Sequence, residues 1–350
     1  MISRLTPTRC GPIGVDIGSR SVKLLQLNGA RTQVLDAARW DLPVEEAASA
    51  ERQDELIVEA IGRAREGRAF RGRKAVLCLN ATDLFVQNLR VNKAEGDELT
   101  KIVHFEAAGR LPFARELAEM CFVEAADVRQ GDAVRREVIL IACQRPRIER
   151  LLAIGEQAGL QPAAVDTEPG AMLRCYLKQY RRDDDQQRMT LYVNVGSRNT
   201  GVLIARGGDA TFIKYIDFGG HHLDQALSKY LKIPMTDATA LRRHNGDRRA
   251  DQRDAEVSRS INEAIRPLLE NLANELALCV RYHSVTFRGQ PLAHVVVGGG
   301  EASESLADWL GAKLAMPCEL GNPLRSFGPT ALPGRAAQWD VATGLALREE

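Results

Sequence analysis

The sequence predicts a two-domain α/β protein made by internal duplication, with a small α+β module inserted into its first half. Three observations lead to that fold class. The chain has 350 residues, too many for one small core and suited to two domains of ordinary size. A hairpin pattern of strand, glycine- and serine-rich turn and strand near residue 18 returns about 180 residues later. Between the two copies, residues 81–161 have a different texture, reading as strand, helix, strand, strand, helix.

In chain order, residues 13–16 form a strand, 18–20 a turn, and 21–27 a second strand whose Val22, Leu24 and Leu27 alternate with Lys23 and Gln26. A third strand is expected at 32–37. Leu56, Ile57, Ala60, Ile61 and Ala64 recur at helical spacing across 51–66. An Arg- and Gly-rich stretch, 65–73, precedes a buried strand at 74–80. The middle block predicts strands at 85–91, 121–128 and 137–143 and a helix at 93–111. It closes with an amphipathic helix at 146–159, capped by Gly159. Residues 165–168 lead into Pro169 and a helix at 170–180; the charge run 181–188 reads as a solvated linker and marks the domain boundary. The hairpin then recurs as strands 191–195 and 201–205, followed by a third strand at 212–216. Gly219 and Gly220 open a helix to residue 231. A charged loop at 243–255 and a long helix near 257–284 come next. A strand at 293–297 runs into Gly298, Gly299 and Gly300, and helices at about 303–315 and 339–348 end the chain.

Composition narrows the function. Lys plus Arg number 47 against 46 Asp plus Glu, so no global field draws the chain to nucleic acid or anionic lipid. The seven cysteines are scattered with no CxxC pair, which suits a reducing compartment and offers no zinc spacing. No run approaches the roughly 20 apolar residues that cross a bilayer, and the polar start has no signal-peptide core. A soluble cytoplasmic protein is expected.

The glycine turns carry the chemistry. Such a turn aims several backbone N–H groups into one concavity and cradles a phosphate. The first candidate is Gly14-Val15-Asp16-Ile17-Gly18-Ser19, continuing through Arg20, Ser21 and Lys23. Asp16, at the end of its strand, is placed to hold Mg²⁺ through water. The second candidate runs from Asn194 through Gly196, Ser197, Arg198, Asn199 and Thr200. Taken singly, Gly and Ser in a turn are usually only a turn; their order and repetition give the signal. Arg198 either adds a phosphate cation or faces solvent. His221 and His222, adjacent at a helix start, point in different directions and suit capping or exposure better than metal.

The order of hairpin, Asp166-Thr167-Glu168-Pro169, second hairpin, glycine pair and Gly298-Gly299-Gly300 resembles the actin, Hsp70 and sugar-kinase superfamily. The resemblance implies an actin-like fold of duplicated ribonuclease-H-like domains that clamp ATP or ADP with Mg²⁺ between two phosphate loops. Gly219, Gly220, Arg242 and the three glycines from 298 then contact the nucleotide. Within the superfamily, four segments look like the PilM family of type IV pilus assembly. They are the first turn through Leu24, Phe105-Glu106-Ala107-Ala108 with Leu111-Pro112-Phe113, Ala158-Gly159-Leu160 leading to Val165-Asp166, and Ala342-Thr343-Gly344-Leu345-Ala346-Leu347-Arg348. That resemblance covers nearly the whole chain from residue 13. It implies subdomain 1A from 1–80, 162–185 and a C-terminal helix 336–350, an FtsA-like 1C insertion at 81–161, and a second domain at 186–335. It also implies a cytoplasmic adaptor holding the N-terminal tail of a PilN-like inner-membrane protein in a 1A/1C groove, peripheral to that membrane. Other pilus or secretion components and self-association are further expected partners.

Two departures weaken the nucleotide site. Asn194 stands where relatives carry a phosphate-2 Asp, and Thr239 where they carry a Glu three residues before the cation Arg242. Glu168 is the catalytic candidate, positioning water by resemblance, or simply an acid favoured at a helix start. Slow or no hydrolysis is expected. The alternatives are a nucleotide-free scaffold and a small-molecule kinase, for which no sugar-site base stands out.

Overall fold

The computed structural model describes residues 10–43, 49–179, 186–247, 252, 254–328 and 330–349. Two of its sheets share one plan. The first orders β1 (Cys10–Ile17), β2 (Ser21–Asn28), β3 (Val34–Asp41), β4 (Lys74–Leu79) and β8 (Gln161–Thr167) as β3-β2-β1-β4-β8. The second orders β9 (Met189–Val195), β10 (Thr200–Arg206), β11 (Asp209–Ile216), β12 (Leu292–Gly298) and β13 (Cys318–Leu320) as β11-β10-β9-β12-β13. In each, three antiparallel strands joined by short turns are extended by two parallel strands. Parallel neighbours need crossovers. These are α1 (Ala50–Arg65) and α3 (Arg145–Gln157) in the first half. In the second they are α5 (Gly220–Leu231), α6 (Met235–Asp247), α7 (Ala255–Thr286) and α8 (Glu304–Leu314).

The first sheet is buried on both faces, which explains the run Leu24-Leu25. Leu24 packs with Ile13, Val15 and Ile61 of α1. Leu25 turns the other way, onto Trp339, Ala342 and Ala346 of the closing segment, whose helix α9 is Asp340–Ala346. The chain end thus returns to the first sheet, beside α4 (Glu168–Leu177), where Ala171 meets Val341 and Leu345.

Between β4 and α3 lies the third sheet, β5 (Leu84–Asn92), β6 (Ala118–Gln130) and β7 (Ala133–Gln144), ordered β5-β7-β6. Helix α2 (Gly96–Ala108) covers one face through Leu99, Val103 and Ala107 against Val138 and Leu140. The other face sets Ile139 and Ile141 against Met172 of α4 and Ile213 of β11. The Asn88 amide donates to the Ile213 carbonyl at 2.8 Å and accepts from its N–H at 3.4 Å, pairing with the free edge of β11 as a strand would. Within the block expected to be the insert, α3 packs on the first sheet through Leu151 and Ile154. The three strands and α2 share a core of their own.

Several boundaries differ from expectation for local reasons. The third strand starts at Val34 because Asn28 caps the preceding turn, accepting from Thr32 N at 2.8 Å, with Arg31 at φ 54°. The chain from 243 stays helical through Asp247, and Asp254 caps α7; residues 248–251 and 253 of the expected charged loop lie outside the described residues. So do residue 180, the end of the expected helix, and 181–185 of the expected linker. Strand β13 had no counterpart in the sequence reading, being too short to show alternation.

Candidate functional site

Both glycine turns close in the same way. Gly18 N donates to Ser21 O at 3.0 Å, and Gly196 N to Asn199 O at 3.0 Å. The turns lie near one another, since Arg20 of the first and Arg198 of the second both act on His221 and disfavour its protonation, after burial as the main cause.

Between the hairpins sits a cluster of one lysine and three carboxyl groups. Lys23 Nζ, largely buried, donates to Asp16 Oδ2 at 2.5 Å. Asn194 Nδ2 donates to Asp340 Oδ2 at 2.8 Å. Asp340, the first residue of α9, therefore brings to position 194 the carboxyl that Asn194 lacks. Burial raises Asp340 to about 7; the Asp16 charge adds to the rise, while the Val341 N–H, Lys23 and Asn194 oppose it. Glu168, at the first position of α4, is raised to about 8, first by burial and then by the charges of Asp16 and Asp340. Two of the three carboxyls thus hold protons near neutrality, and a cation arriving among them would release those protons.

Other predicted residues serve the frame of the site. Gly220 N donates to Gly196 O at 3.1 Å and His221 N to Ser197 O at 2.7 Å, so the first donors of α5 bind the second hairpin's carbonyls. Thr200 Oγ1 donates to Phe218 O at 2.9 Å. Gly219, Gly220 and Thr200 hold that hairpin in shape. Its tip remains, with Arg198 exposed and Ser197 and Asn199 partly so. Gly299 adopts φ 95°, and a Cβ there would lie 2.5 Å from Val195 O. Only glycine lets the end of β12 close on the second hairpin. Around Gly300 the space is open.

Arg242 is held on both sides. Its Nε donates to Asp224 Oδ1 at 2.5 Å and its Nη1 to Glu301 Oε2 at 2.7 Å; burial opposes its charge, but the carboxylates of Glu301 and Asp224 outweigh it and raise the guanidinium further, keeping it cationic. Thr239, in place of the expected Glu, donates to Asp224 Oδ2 at 2.9 Å. Glu301 supplies the carboxylate from another part of the chain, and Arg20 reaches Asp224 at 2.6 Å. Sequence reasoning missed Asp224, Glu301 and Asp340. Glu301 follows the glycine run directly and was the one with a local signal.

Among the described residues no group of three His, Cys, Asp or Glu side chains is placed to hold a metal ion. Asp16 with its Lys23 partner fits an ion that keeps its waters and arrives with phosphate better than one caged by protein.

A family model described as type IV pilus assembly protein PilM matches residues 14–350. Among solved structures the chain is similar to a PilM–PilN type IV pilus biogenesis complex, with a TM-score of 0.78 and 22% identity over 96% of this chain and 98% of that one. It is similar to the ethanolamine utilization protein EutJ from Carboxydothermus hydrogenoformans, with a TM-score of 0.58 and 15% identity over 97% and 90% of the two chains. MreB5 of Spiroplasma citri bound to ADP gives 0.51 and 12% over 96% and 95%. These likenesses establish an actin-like fold.

Proposed function

This chain belongs to the PilM family of type IV pilus assembly proteins, and on that basis we propose that it is an actin-like adaptor coupling an adenine nucleotide to a membrane-protein tail. ATP or ADP, with Mg²⁺, binds between the two hairpins. The cytoplasmic N-terminal tail of a PilN-like inner-membrane protein lies in a groove between 1A (1–80, 162–185 and 336–350) and the 1C insertion (81–161), with 186–335 as the second domain. The observation that carries the nucleotide reading is the pair of identically closed turns beside one lysine–carboxyl cluster. The partner reading is supported by the family and by the PilM–PilN complex to which the chain is similar. No helix among the described residues is long and apolar enough to cross a membrane, which suits attachment through that partner on the cytoplasmic face.

The bound nucleotide supplies phosphate oxygens and a hydrated Mg²⁺. Asp16 would hold that ion through water, Lys23 and Arg198 would balance phosphate charge, and Gly298, Gly299 and Gly300 would contact the adenosine. Glu168 would be the residue to orient water, but a carboxyl raised to about 8 is a poor acceptor at neutral pH. With an amide at Asn194, slow or no hydrolysis follows.

Calorimetric titration of ATP with and without Mg²⁺ tests the cleft. Asp16→Ala should weaken Mg²⁺-dependent binding by about 10- to 100-fold, the worth of one charge-assisted contact. Absence of binding by the wild type in both conditions would leave a nucleotide-free scaffold. That second reading is favoured by the Arg20–Asp224 pair and the α5 donors already satisfied within the protein. Phosphate transfer to a sugar would sink the adaptor. Phe105 of α2 is 77% exposed, an apolar handle on the insert. Phe105→Ala should weaken binding of a PilN-like tail peptide about tenfold by fluorescence anisotropy, and an unchanged affinity would move the groove elsewhere.

A further inference from the structure

Arg20 stands on the turn of the first hairpin and Asp224 one turn into α5, 204 residues later. Arg20 Nη2 donates to Asp224 Oδ2 at 2.6 Å, tying the first sheet to the second half across the candidate cleft. The Asp224 side chain is fully buried and takes two further donors, Arg242 Nε and Thr239 Oγ1. Arg242 continues to Glu301, which Arg243 also meets at 3.3 Å. Three arginines and two carboxylates thus form one chain of contacts with a surplus positive charge. Of these five groups, Arg20 alone comes from the first half.

That arrangement makes Arg20 the replaceable member. Removing one partner of a buried ion pair is normally costly because the other is stranded. Asp224 would not be stranded, since Arg242 and Thr239 remain on it. Arg20 has somewhere to go, because a guanidinium fits phosphate with the same fork it offers a carboxylate. A polyphosphate entering by the hairpin turns meets Arg198 and His221 in the same neighbourhood, so positive charge from both turns converges there.

We propose that Arg20 is a cleft latch that exchanges partners, holding Asp224 while the cleft is empty and releasing it to bind the nucleotide's phosphates. The proposal rests on the nucleotide reading above. Release unties the first hairpin from α5, so the filled cleft relates its two halves differently from the empty one. The Arg20–Asp224 contact also competes with the nucleotide, lowering its apparent affinity by the fraction of molecules that are latched.

A double-mutant cycle read by calorimetry with Mg²⁺ and either ADP or the non-hydrolysable triphosphate AMPPNP tests this in the full chain. Asp224→Asn should tighten AMPPNP binding about five- to tenfold by freeing Arg20, and should do nothing in an Arg20→Gln background. A merely structural Asp224 would weaken binding equally in both backgrounds, and that result overturns the latch, as does an unchanged affinity in Asp224→Asn. Hydrogen–deuterium exchange of nucleotide-free protein gives a second readout that leaves Arg242 paired. Arg20→Gln should raise exchange across residues 18–23 and the first turn of α5 at least threefold, and no change there also overturns the proposal. Should neither wild type nor Asp224→Asn bind nucleotide, the nucleotide reading and the exchange of partners fall together. Binding by Asp224→Asn alone would support both.

Discussion

Replacing Gly344 by alanine should destabilise the protein by about 3 kcal/mol or more and lower its melting temperature by roughly 5–10 °C. A Cβ at position 344 would lie 1.7 Å from the carbonyl oxygen of Ala171 and 2.4 Å from its carbon, where α9 crosses α4. Both are backbone atoms, so no side chain can swing aside. Retreat is blocked on the opposite side by β1, where the absent side chain of Gly14 already leaves a Cβ position only 2.4 Å from Ala342 O and 2.6 Å from Ala346 N. Helix α9 is wedged between α4 and β1 by one glycine on each contact. Gly14, read from sequence as the opening of a phosphate loop, therefore serves this seam. The wedge also sets the position of Asp340 and its hydrogen bond to Asn194, so any folded Gly344→Ala protein should lose nucleotide affinity as well. Gly62→Ala is the control: a Cβ there meets nothing within 4 Å inside α1, and the change should be neutral or stabilising by up to about 1 kcal/mol. Scanning calorimetry of both variants checks the contrast, and an unchanged melting temperature for Gly344→Ala would refute the wedge.

Raising the pH from about 5 to about 8 should progressively destabilise the nucleotide-free protein. In the folded state Glu168 is raised to about 8 from 4.5 and Asp340 to about 7 from 3.8, burial being the first cause of each. Between those limits the native state holds protons that the unfolded chain has released, so stability falls with rising pH. The advantage is complete below pH 4 and gone once the folded values are passed. These values correspond to a combined loss of about 6 kcal/mol for this coupled pair. Urea unfolding from pH 5 to pH 8 measures it, and Glu168→Gln and Asp340→Asn should each flatten the profile. A wild-type profile that is flat or rises across this range would show that the carboxyls are ionised in the fold. Mg²⁺ with nucleotide should flatten it too, releasing protons that appear as a buffer-dependent binding enthalpy.

The local features of this protein were legible in its sequence. The hairpins could be read because a turn closes on itself within four residues, as Gly18 to Ser21 and Gly196 to Asn199 do. Their return after an intervening block revealed the duplication, and periodicity located α1 and the strands of the third sheet, each a property of neighbouring residues. What only the tertiary structure decided is which charged group meets which. Asp340 reaches Asn194 because the last helix packs back on the first sheet, 146 residues from its partner in sequence. Asp224 joins Arg20 because the turn of the first hairpin meets α5, and α3 packs on the first sheet because its apolar face fits β4 and β8. Period and turn chemistry act over a few residues and leave their mark in spacing. Charge neutralisation and close packing act through space, so spacing carries no trace of them until the sheets are placed together.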